Sequence, residues 1–250
     1  MKIQIVSDLH LKFLSNDQVI ELADKISKDS PAEVLILAGD ICSLSERSIS
    51  KFTTFIDEVK DNYLKIIYVS GNHEYYGTSR QEIHELKHKL VKYRPNLCML
   101  ENESILVDNI IFYGTTLWFE ETVETNLLRY NLNDYRYIQN FQPDDWSRKA
   151  IQFIKNIPND STKKVLITHH VPHSRFISPK YVGNDMNCFY LNEIGKYLGK
   201  FDLVTFGHSH DSVNYQFSER TLAISNPRGY PKSNSEGEND KFEYQLVVEV

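Results

Sequence analysis

The sequence predicts an α/β fold in which one domain is built on two packed sheets. Strand-like apolar runs alternate with amphipathic helix-like segments over the first hundred residues. A series of short strand-like runs dominates the second half of the chain. The 250 residues contain no internal repeat and no convincing linker, so a single domain over residues 1–250 is expected.

The first half is predicted to form three successive strand–helix units. Strands are expected at 2–7, 33–38 and 64–69, and helices at 17–28, 46–60 and 78–94. Asn16 or Asp17 is the expected N-cap of the first helix. Thr78 and Gln81 have capping-box spacing at the start of the third helix, which should end before Pro95. This order implies a parallel sheet with right-handed crossovers.

The second half has a different pattern. Residues 104–114 predict a hairpin with Asp108 and Asn109 at its turn. Residues 117–143 are polar and aromatic without a clear period, and they are too long for a structureless connection, so they are predicted to form a cap or binding insertion. Helices are then expected at 144–157 and 188–199, strands at 163–168, 202–206, 212–217, 220–225 and 243–249, and a polar loop at 232–241.

Composition excludes several classes of protein. Three cysteines without a close pair argue against a disulfide scaffold or a structural zinc module and fit a reducing compartment, so a cytoplasmic location is expected. The first ten residues include an Asp and a His and do not resemble a signal peptide, and no apolar run is long enough to span a membrane. With a net charge of −6, the chain as a whole is not the basic surface that duplex nucleic acid would attract. The basic runs Lys163-Lys164 and Lys87-His88-Lys89 are short, so nucleic acid is not the favoured partner.

Five of the apolar strands end in residues that can bind a metal ion. These residues are Asp8 and His10, then Asp40, then Asn72 and His73, then His169 and His170, and finally His208 and His210. Ligands of open α/β sheets bind beyond the carboxyl ends of the strands, so the five groups should converge on one rim if the strands are neighbours. Glycines at 39, 71 and 207 would let the backbone turn tightly beside the ions.

The residue types indicate which ions such a site would prefer. Carboxylate, amide and imidazole ligands without thiolate suit Mn, Fe, Zn or Mg. Two divalent metal ions about 3.5–4 Å apart suit in-line displacement at phosphorus, and such a pair needs a bridging carboxylate, for which Asp40 is the natural candidate. Each motif alone is weak, because a lone Asp-x-His is usually a surface pair and a strand-terminal Gly-Asp is usually a turn. Their shared position after apolar strands carries the prediction.

In this ordered set the sequence resembles the calcineurin-like metallophosphoesterases. The matching motifs are Asp8-x-His10, Gly39-Asp40, Gly71-Asn72-His73-Glu74, His169-His170 and Gly207-His208-x-His210. The resemblance implies a four-layer α/β/β/α sandwich over the whole chain. It also implies hydrolysis of a small phosphorylated substrate, either a phosphodiester or a phosphomonoester, by a water that two metal ions activate.

The resemblance also implies a role for each motif residue. Asp8, His10, Asp40 and His210 would hold one ion, and Asp40, Asn72, His169 and His208 the other. His73 would donate a proton to the leaving-group oxygen. His169 and His170 compete for one ligand position; His169 comes first at the strand end and is taken as the ligand, which directs His170 towards the substrate or to a supporting role. Ser43 stands where the phosphoprotein phosphatases have an Asp that supports the catalytic His.

Residues outside the motifs are weaker candidates for substrate binding. Arg136, in the insertion, and Arg228, after the last hairpin strand, could each grip a phosphate in bidentate fashion. Tyr130, Tyr135 and Tyr230 could stack on a base or a sugar, although half-buried packing is the more ordinary role of a tyrosine.

Three other functions compete with this interpretation. His84-Glu85-Leu86-Lys87-His88 matches the zinc-protease pattern H-E-x-x-H, but helical spacing places both histidines away from the buried stripe of Ile83, Leu86 and Leu90. A non-catalytic scaffold would be expected to lack some ligands, whereas every expected type is present here. A nuclease would keep the chemistry but is disfavoured by the acidic balance.

Overall fold

A computed structural model describes residues 1–233 and 236–250, and within them the chain forms two mixed sheets flanked by helices. The predicted α/β fold class is therefore confirmed. The strands are β1 (Lys2–Val6), β2 (Val34–Ala38), β3 (Lys65–Val69), β4 (Leu97–Leu100), β5 (Glu103–Val107), β6 (Ile110–Gly114), β7 (Lys163–Ile167), β8 (Leu203–Phe206), β9 (Val213–Gln216), β10 (Leu222–Ser225) and β11 (Val247–Glu249). The helices are α1 (Asn16–Ser27), α2 (Ile49–Val59), α3 (Arg80–Lys92), α4 (Val123–Leu128), α5 (Asp134–Tyr137), α6 (Pro143–Asn156) and α7 (Gly195–Leu198).

The first sheet has the order β11-β1-β2-β3-β4. Its four central and edge strands β1 to β4 are parallel, as the alternating strand–helix pattern predicted, and β11 pairs antiparallel with β1. The second sheet has the order β5-β6-β7-β8-β10-β9, with parallel pairing from β6 through β10 and antiparallel strands at both edges. Strands that precede candidate ligands therefore lie next to one another within each sheet.

Three apolar clusters hold four layers together. Alternate residues of a strand point to opposite faces of its sheet, so β2 directs Leu35 and Leu37 outward against the helices and Ile36 inward against the second sheet. The inner cluster joins the two sheets, for example through Ile36 and Phe112. A third cluster packs the far face of the second sheet on α6 and α7. This layering is the α/β/β/α sandwich that the resemblance implied.

The starts of α1 and α3 differ from the sequence expectation by one or two residues. Ser15, rather than Asn16 or Asp17, caps α1, because its hydroxyl accepts from Gln18 N while the Gln18 side chain accepts from Ser15 N. At α3 the capping box joins Ser79 and Glu82 rather than Thr78 and Gln81. In both cases the cap hydroxyl belongs to a residue in extended conformation, which the spacing of serines and threonines alone does not reveal.

The helix predicted at 188–199 is wrong over most of its length. Only Gly195–Leu198 is α-helical, and Asp185–Phe189 forms a 3₁₀ turn. Between them Leu191 forms an isolated parallel bridge with Val171, in which Val171 N donates to Tyr190 O and Asn192 N donates to Val171 O. This pairing with the segment after β7 overrides the local helical pattern.

Two further parts of the chain were not anticipated in detail. β4 was missed because it is only four residues long and ends where β5 soon begins. The insertion at 117–143 contains α4, a 3₁₀ turn at Arg129–Asn131 and α5 rather than irregular loop. Of the loop predicted at 232–241, residues 234 and 235 lie outside the described residues. No helix in residues 1–233 or 236–250 has the length and apolarity that a membrane span requires.

Candidate metal centre

The candidate ligands meet where the carboxyl ends of both sheets face each other. β1, β2 and β3 deliver Asp8, His10, Asp40, Asn72 and His73 from the first sheet, and β7 and β8 deliver the remaining histidines from the second. Backbone bonds join the segments that follow the strands: Asp8 N donates to Gly39 O at 2.9 Å, and Gly207 N donates to His169 O at 3.0 Å. The Asp8 carboxylate crosses between the sheets by accepting from His208 N at 3.0 Å.

The first group of potential ligands comprises Asp8, His10 and His210. The Nε2 atoms of His10 and His210 are 3.0 Å apart, and His210 Nε2 is 3.3 Å from Asp8 Oδ1. Asp40 Oδ2 lies 3.9 Å from His10 Nε2 on the other side. Two atoms bound to one ion at about 2.1 Å lie roughly 3.0–3.4 Å apart, so these three residues already have the spacing of a shared coordination sphere.

The second group comprises Asp40, His169 and His208. His169 Nε2 is 3.3 Å from Asp40 Oδ1, 3.3 Å from Asn72 Oδ1 and 3.2 Å from His208 Nδ1. Asp40 turns one oxygen towards each group, and the two groups therefore share a single carboxylate. This is the arrangement of a bridged pair of sites.

The backbone around the centre adopts conformations that position these side chains at a cost. Five of the candidate ligands, all non-glycine, have φ between +49° and +70°: Asp8, His10, Asp40, His208 and His210. Left-handed backbone is uncommon for such residues and costs roughly 1–2 kcal/mol each. Such strain accumulates at functional sites, where the surrounding structure holds it in place.

Two glycines leave room that the ligands occupy. A Cβ on Gly71 would collide with Asp40 Oδ1 and would lie 2.6 Å from the Asp40 nitrogen, and a Cβ on Gly207 would collide with Asp8 Oδ2. No side chain larger than hydrogen therefore fits at either position while the carboxylates keep their places.

Burial keeps His10 and His208 in the form that binds metals. Burial lowers the pKa of His10, and the neighbouring His73 and His210 lower it further. Burial and the neighbouring His170 likewise lower the pKa of His208 well below its usual range. Histidine binds a metal ion only as the neutral imidazole, so the centre is prepared for cations.

The buried carboxylates of Asp8 and Asp40 repel each other unless positive charge lies near them. Burial, and then the neighbouring Asp8, raise the pKa of Asp40 to about 8. Burial alone would raise the pKa of Asp8 and lower that of His210, but their 3.3 Å contact reverses both: it lowers the pKa of Asp8 and raises that of His210 to about 10, with help from Glu238. Two buried carboxylates stay ionised together when positive charge compensates them.

Donor types, spacings and electrostatics all fit two divalent ions. Asp8, His10, Asp40 and His210 would hold one, and Asp40, Asn72, His169 and His208 the other. All eight ligand positions are filled by oxygen and imidazole nitrogen, the set that suits Mn, Fe, Zn or Mg. The three cysteines take no part: each is a free thiol, and none belongs to the potential ligand groups of the described residues.

Glu74, whose role the sequence did not reveal, fastens the loops that carry the ligands. Its fully buried carboxylate accepts from the backbone nitrogens of Asp40, Ile41, Cys42 and Gly71 at 2.7–3.2 Å. The Tyr68 hydroxyl also donates to it, at 2.7 Å. Burial and the neighbouring Asp40 raise its pKa to about 7. Glu74 thus holds the ends of β2 and β3 in register.

The Asn72 amide is oriented by a residue of the insertion. Asn72 Nδ2 donates to Asp134 Oδ1 at 2.8 Å, and the Tyr76 hydroxyl donates to the same oxygen at 2.6 Å. Because the nitrogen is committed to Asp134, the amide oxygen faces His169 and the second group of ligands. Asp134 is 1% exposed, and no feature of the sequence identified it beyond its place in the predicted insertion.

His73 has a different partner from the one that the phosphoprotein phosphatase pattern suggested. Lys12 Nζ donates to His73 Nδ1 at 2.8 Å, while Ser43 donates its hydroxyl to Tyr76 O instead. Burial and then Lys12 lower the pKa of His73 to about 2. With Nδ1 accepting from an ammonium, the ring proton lies on Nε2, 3.8 Å from Asp40 Oδ2 and 3.1 Å from the Tyr230 hydroxyl.

A cavity of about 450 Å³ opens directly onto the centre. Asp40, Asn72, His73, His208 and His210 form one end of it. The insertion contributes Asn131, Leu132 and Asn133, and the segment after β7 contributes residues between Val171 and Tyr190. Residues of the predicted insertion therefore line a cavity next to the candidate ligands.

The structure places three proposed substrate residues away from this cavity. His170 is fully buried behind His208, with ring centroids 4.3 Å apart, and its Nδ1 donates to Thr116 O, so it supports the ligand instead of facing the cavity. Arg228 is 2% exposed and donates to Leu9 O, because the turn after β10 folds inward against the β1 loop. Arg136 points to solvent and donates to Tyr130 O.

The three tyrosines proposed to stack on substrate separate in the same way. Tyr230 lines the cavity and stacks on the His10 ring at 4.2 Å. Tyr135 packs on Phe141 and donates to Glu121, and Tyr130 is exposed beside Arg129. Neither of these two belongs to the lining.

The H-E-x-x-H segment lies on the exposed face of α3. His84 and His88 are both exposed, with their Nε2 atoms 3.4 Å apart, while Ile83 and Leu90 are buried. None of the potential ligand groups found among the described residues includes either histidine. The segment therefore lacks the third ligand that a zinc protease needs.

Comparison with known proteins shows the family to which the chain belongs. The sequence profile described as "Calcineurin-like phosphoesterase" matches residues 1–212, a span that contains all seven candidate ligands. The chain belongs to the calcineurin-like phosphoesterases. This family typically binds two divalent metal ions, in agreement with the two ligand groups around Asp40.

Several individual proteins resemble this phosphoesterase. "Uncharacterized protein L509" of Acanthamoeba polyphaga mimivirus is 28% identical over 91% of each chain. The [acyl-carrier-protein] phosphodiesterase PptH of Mycobacterium tuberculosis is 30% identical over 37% of this chain and 26% of its own length. The crystal structure of PptH superposes with a TM-score of 0.71 at 14% identity, covering 92% of this chain and 89% of PptH. A dimetal phosphatase from Danio rerio gives 0.57 at 12% identity, with 90% and 86% covered.

Proposed function

We propose that this protein is a dinuclear-metal hydrolase of phosphate esters. The observation that carries the proposal is the single carboxylate of Asp40 placed between two complementary groups of ligands. Membership of the phosphoesterase family supports the same chemistry.

The ligands would set up the reaction by fixing two divalent ions at the floor of the cavity. Bound there, the ions would orient the phosphate, screen its charge and lower the pKa of an attacking water towards about 7. Asp8 and Asp40 are already ordered by backbone donors, His208 N and His73 N respectively, so little reorganisation is needed when the ions and substrate arrive.

His73 would act on the leaving group. Its Nε2 lies at the cavity wall near Asp40, and its Nδ1 accepts from Lys12, which directs the ring proton towards the reacting phosphate. In this role the neutral His73 ring donates a hydrogen bond from Nε2 to the departing oxygen. The Tyr230 hydroxyl lies 3.1 Å from Nε2 of His73 and helps to hold the ring in place.

The decisive experiment combines metal analysis with a substrate screen. The purified protein is loaded with Mn²⁺, Fe²⁺, Zn²⁺ or Mg²⁺ and assayed on phosphomonoesters, linear and cyclic phosphodiesters and short DNA, with Asp40→Asn as the blank. We expect about two ions per chain and hydrolysis in the wild type, with both reduced in Asp40→Asn. Unchanged metal content and activity in this variant would overturn the site assignment.

Two competing functions have distinct outcomes in the same screen. A non-catalytic scaffold would take up no divalent metal, and a nuclease would prefer DNA to small esters. PptH is named a phosphopantetheinyl hydrolase, so phosphodiesters of pantetheine are one substrate to include. A cytoplasmic location is proposed on the free thiols alone and can be checked by cell fractionation.

A further inference from the structure

The cavity beside the metal centre has walls of amides and phenols. Beyond the ligands themselves, its lining includes the side chains of Asn131, Asn133, Asn184, Asn187, Tyr76, Tyr181, Tyr190 and Tyr230. Among the described residues that line it there is no lysine and no arginine. An ordinary site for a second phosphate would use these cationic side chains.

Aromatic rings fix the end of the cavity nearest the centre. Tyr230 stacks on His10 at 4.2 Å, Tyr76 stacks on His73 at 4.3 Å, and the Tyr190 ring lies 4.6 Å from that of His208. These contacts place three flat faces around the position of the reacting phosphate. A flat or slender organic group bonded to that phosphate can pack between them.

Asn184 and Asn187, on the far wall, each use one end of the side-chain amide in a hydrogen bond within the protein. The other end of each amide is available to a ligand. Asn184 Oδ1 accepts from Met186 N at 2.9 Å, which leaves its NH₂ group as a donor. Asn187 Nδ2 donates to Tyr181 O at 2.7 Å, which leaves its carbonyl oxygen as an acceptor. Within the described part of the chain, the Asn184 NH₂ group and the Asn187 side-chain oxygen form no hydrogen bond, so this wall offers both a donor and an acceptor.

The charges near the cavity are unsuited to a second anion. Glu238 lines the wall and its carboxylate accepts from His210 Nδ1. The nearby lysines are engaged elsewhere: Lys180 pairs with Asp211 at 2.9 Å, and Lys12 is bound to His73. A second phosphate in this cavity would lie near the Glu238 carboxylate, which is bound to His210, and the described lining has no lysine or arginine to bind that phosphate.

We propose that this cavity binds an uncharged, amide-bearing substituent of the phosphate ester and discriminates against substituents that carry a further phosphate. The proposal rests on the proposed phosphoesterase function and deepens it. The shared chemistry is a neighbouring donor and acceptor on a neutral group, which either a nucleobase or a chain of secondary amides provides.

Esters with one common leaving group test the proposal. The metal-loaded protein is assayed on the p-nitrophenyl phosphodiesters of thymidine (through its 5′-oxygen), of pantetheine (through its 4′-oxygen) and of ethanol, and on the thymidine ester with an added 3′-phosphate. Among the three esters without a 3′-phosphate, we expect the ethyl ester to have the highest KM. We expect the added 3′-phosphate to raise KM and so to lower kcat/KM at least about tenfold. The better of the thymidine and pantetheine esters identifies the source of the amide group.

A binding measurement gives the same comparison without turnover. Calorimetric titration of the metal-loaded protein with thymidine 5′-phosphate and with thymidine 3′,5′-bisphosphate should show weaker binding of the bisphosphate. Equal or tighter binding of the bisphosphate, or equal kcat/KM for both thymidine esters, would overturn the proposal.

Variants of the wall show whether the discrimination arises there. Met186→Lys adds a cation to the lining and should narrow the preference against the 3′-phosphate, while Met186→Leu should leave it unchanged. Ile177→Lys, at a partly exposed position of the same lining, is a second variant in case Met186→Lys does not fold. If neither lysine changes the preference, the substituent lies outside this cavity and the proposal fails. Loss of activity even on bis(p-nitrophenyl) phosphate would instead count against the phosphoesterase function itself.

Discussion

Asp134 illustrates how a residue far from the motifs controls a predicted ligand. An amide side chain can present either its oxygen or its nitrogen, and only the oxygen binds a cation. The buried Asp134 carboxylate removes this ambiguity by accepting from Asn72 Nδ2. The identity of a ligand at a strand end therefore depends on a partner that the insertion supplies.

Replacement of Asp134 should weaken metal binding. Asp134→Leu removes the acceptor and keeps a branched side chain, so Asn72 loses its orientation, and we expect the affinity for one of the two ions to fall about 10–100-fold. Calorimetric metal titration measures this directly. Asp134→Asn, which retains an acceptor, should restore most of the affinity, whereas Tyr76→Phe removes a hydroxyl that donates to Asp134 and accepts from Asn72 Nδ2. Equal metal affinity in Asp134→Leu and the wild type would contradict the orienting role.

His73 should affect the rate without affecting the metals. His73→Ala removes the donor at the leaving-group side, so we expect kcat to fall about 10²–10⁴-fold, and most for esters with poor leaving groups. Metal content should remain that of the wild type, because His73 is not one of the proposed ligands. Ser43→Ala is the matched control, since Ser43 does not contact His73 and should show no dependence on the leaving group. Equal losses for good and poor leaving groups would argue against a role at the departing oxygen.

At the scale of elements, the strands matter mainly for where they end. The loops that follow β1, β2, β3 and β8 are held in defined conformations. Glu74 binds the backbone after β2 and β3, and left-handed backbone occurs at ligand positions after β1, β2 and β8. The insertion is tied to the loop after β3 by Gly77 N donating to Tyr137 O and Gln139 N donating to Thr78 O. A movement of the insertion would therefore be transmitted to Asn72 and His73.

The capping of α3 provides a test at this scale. Ser79→Ala removes the hydroxyl that accepts from Glu82 N, and we expect the free energy of unfolding to fall by about 1 kcal/mol. Urea denaturation measures the change. Gln81→Ala is the control, because Gln81 is exposed and takes no part in the capping box that the structure shows. A larger loss of stability in Gln81→Ala than in Ser79→Ala would instead favour the capping box of Thr78 and Gln81 that spacing alone suggested.

At the scale of the whole molecule, the proposed ions would join the two sheets. Each of the two proposed ligand sets combines residues that follow strands of the first sheet with histidines that follow β7 or β8 of the second. The apolar layer between the sheets also joins them, so the ions would add to the stability that this layer provides.

Removal of metal should therefore lower the thermal stability of the whole domain. Ions that bind only the folded state contribute about 2.7 kcal/mol when their free concentration is 100 times the dissociation constant. We expect the chelator EDTA to lower Tm of the metal-loaded wild type, as measured by differential scanning calorimetry. Asp40→Asn should show a much smaller change, and an equal shift in both proteins would mean that the stabilising ions bind somewhere else.

The sequence by itself determined the fold class and the chemical nature of the centre. Both are local properties, since a buried parallel strand requires a continuous apolar run and a ligand must follow directly where that strand ends. Asp8, His10, Asp40, Asn72, His169, His208 and His210 stand where such strands end, and the structure brings all seven together.

Only the tertiary structure decided how the residues around those ligands are used. Lys12 meets His73 across 61 positions of sequence and Asp134 meets Asn72 across 62, and neither contact leaves a pattern in a single chain. The same holds for Arg228 and His170, which looked available for substrate but are buried by the packing of neighbouring loops. Contacts between distant segments depend on how the layers stack, which hydrophobic periodicity does not encode.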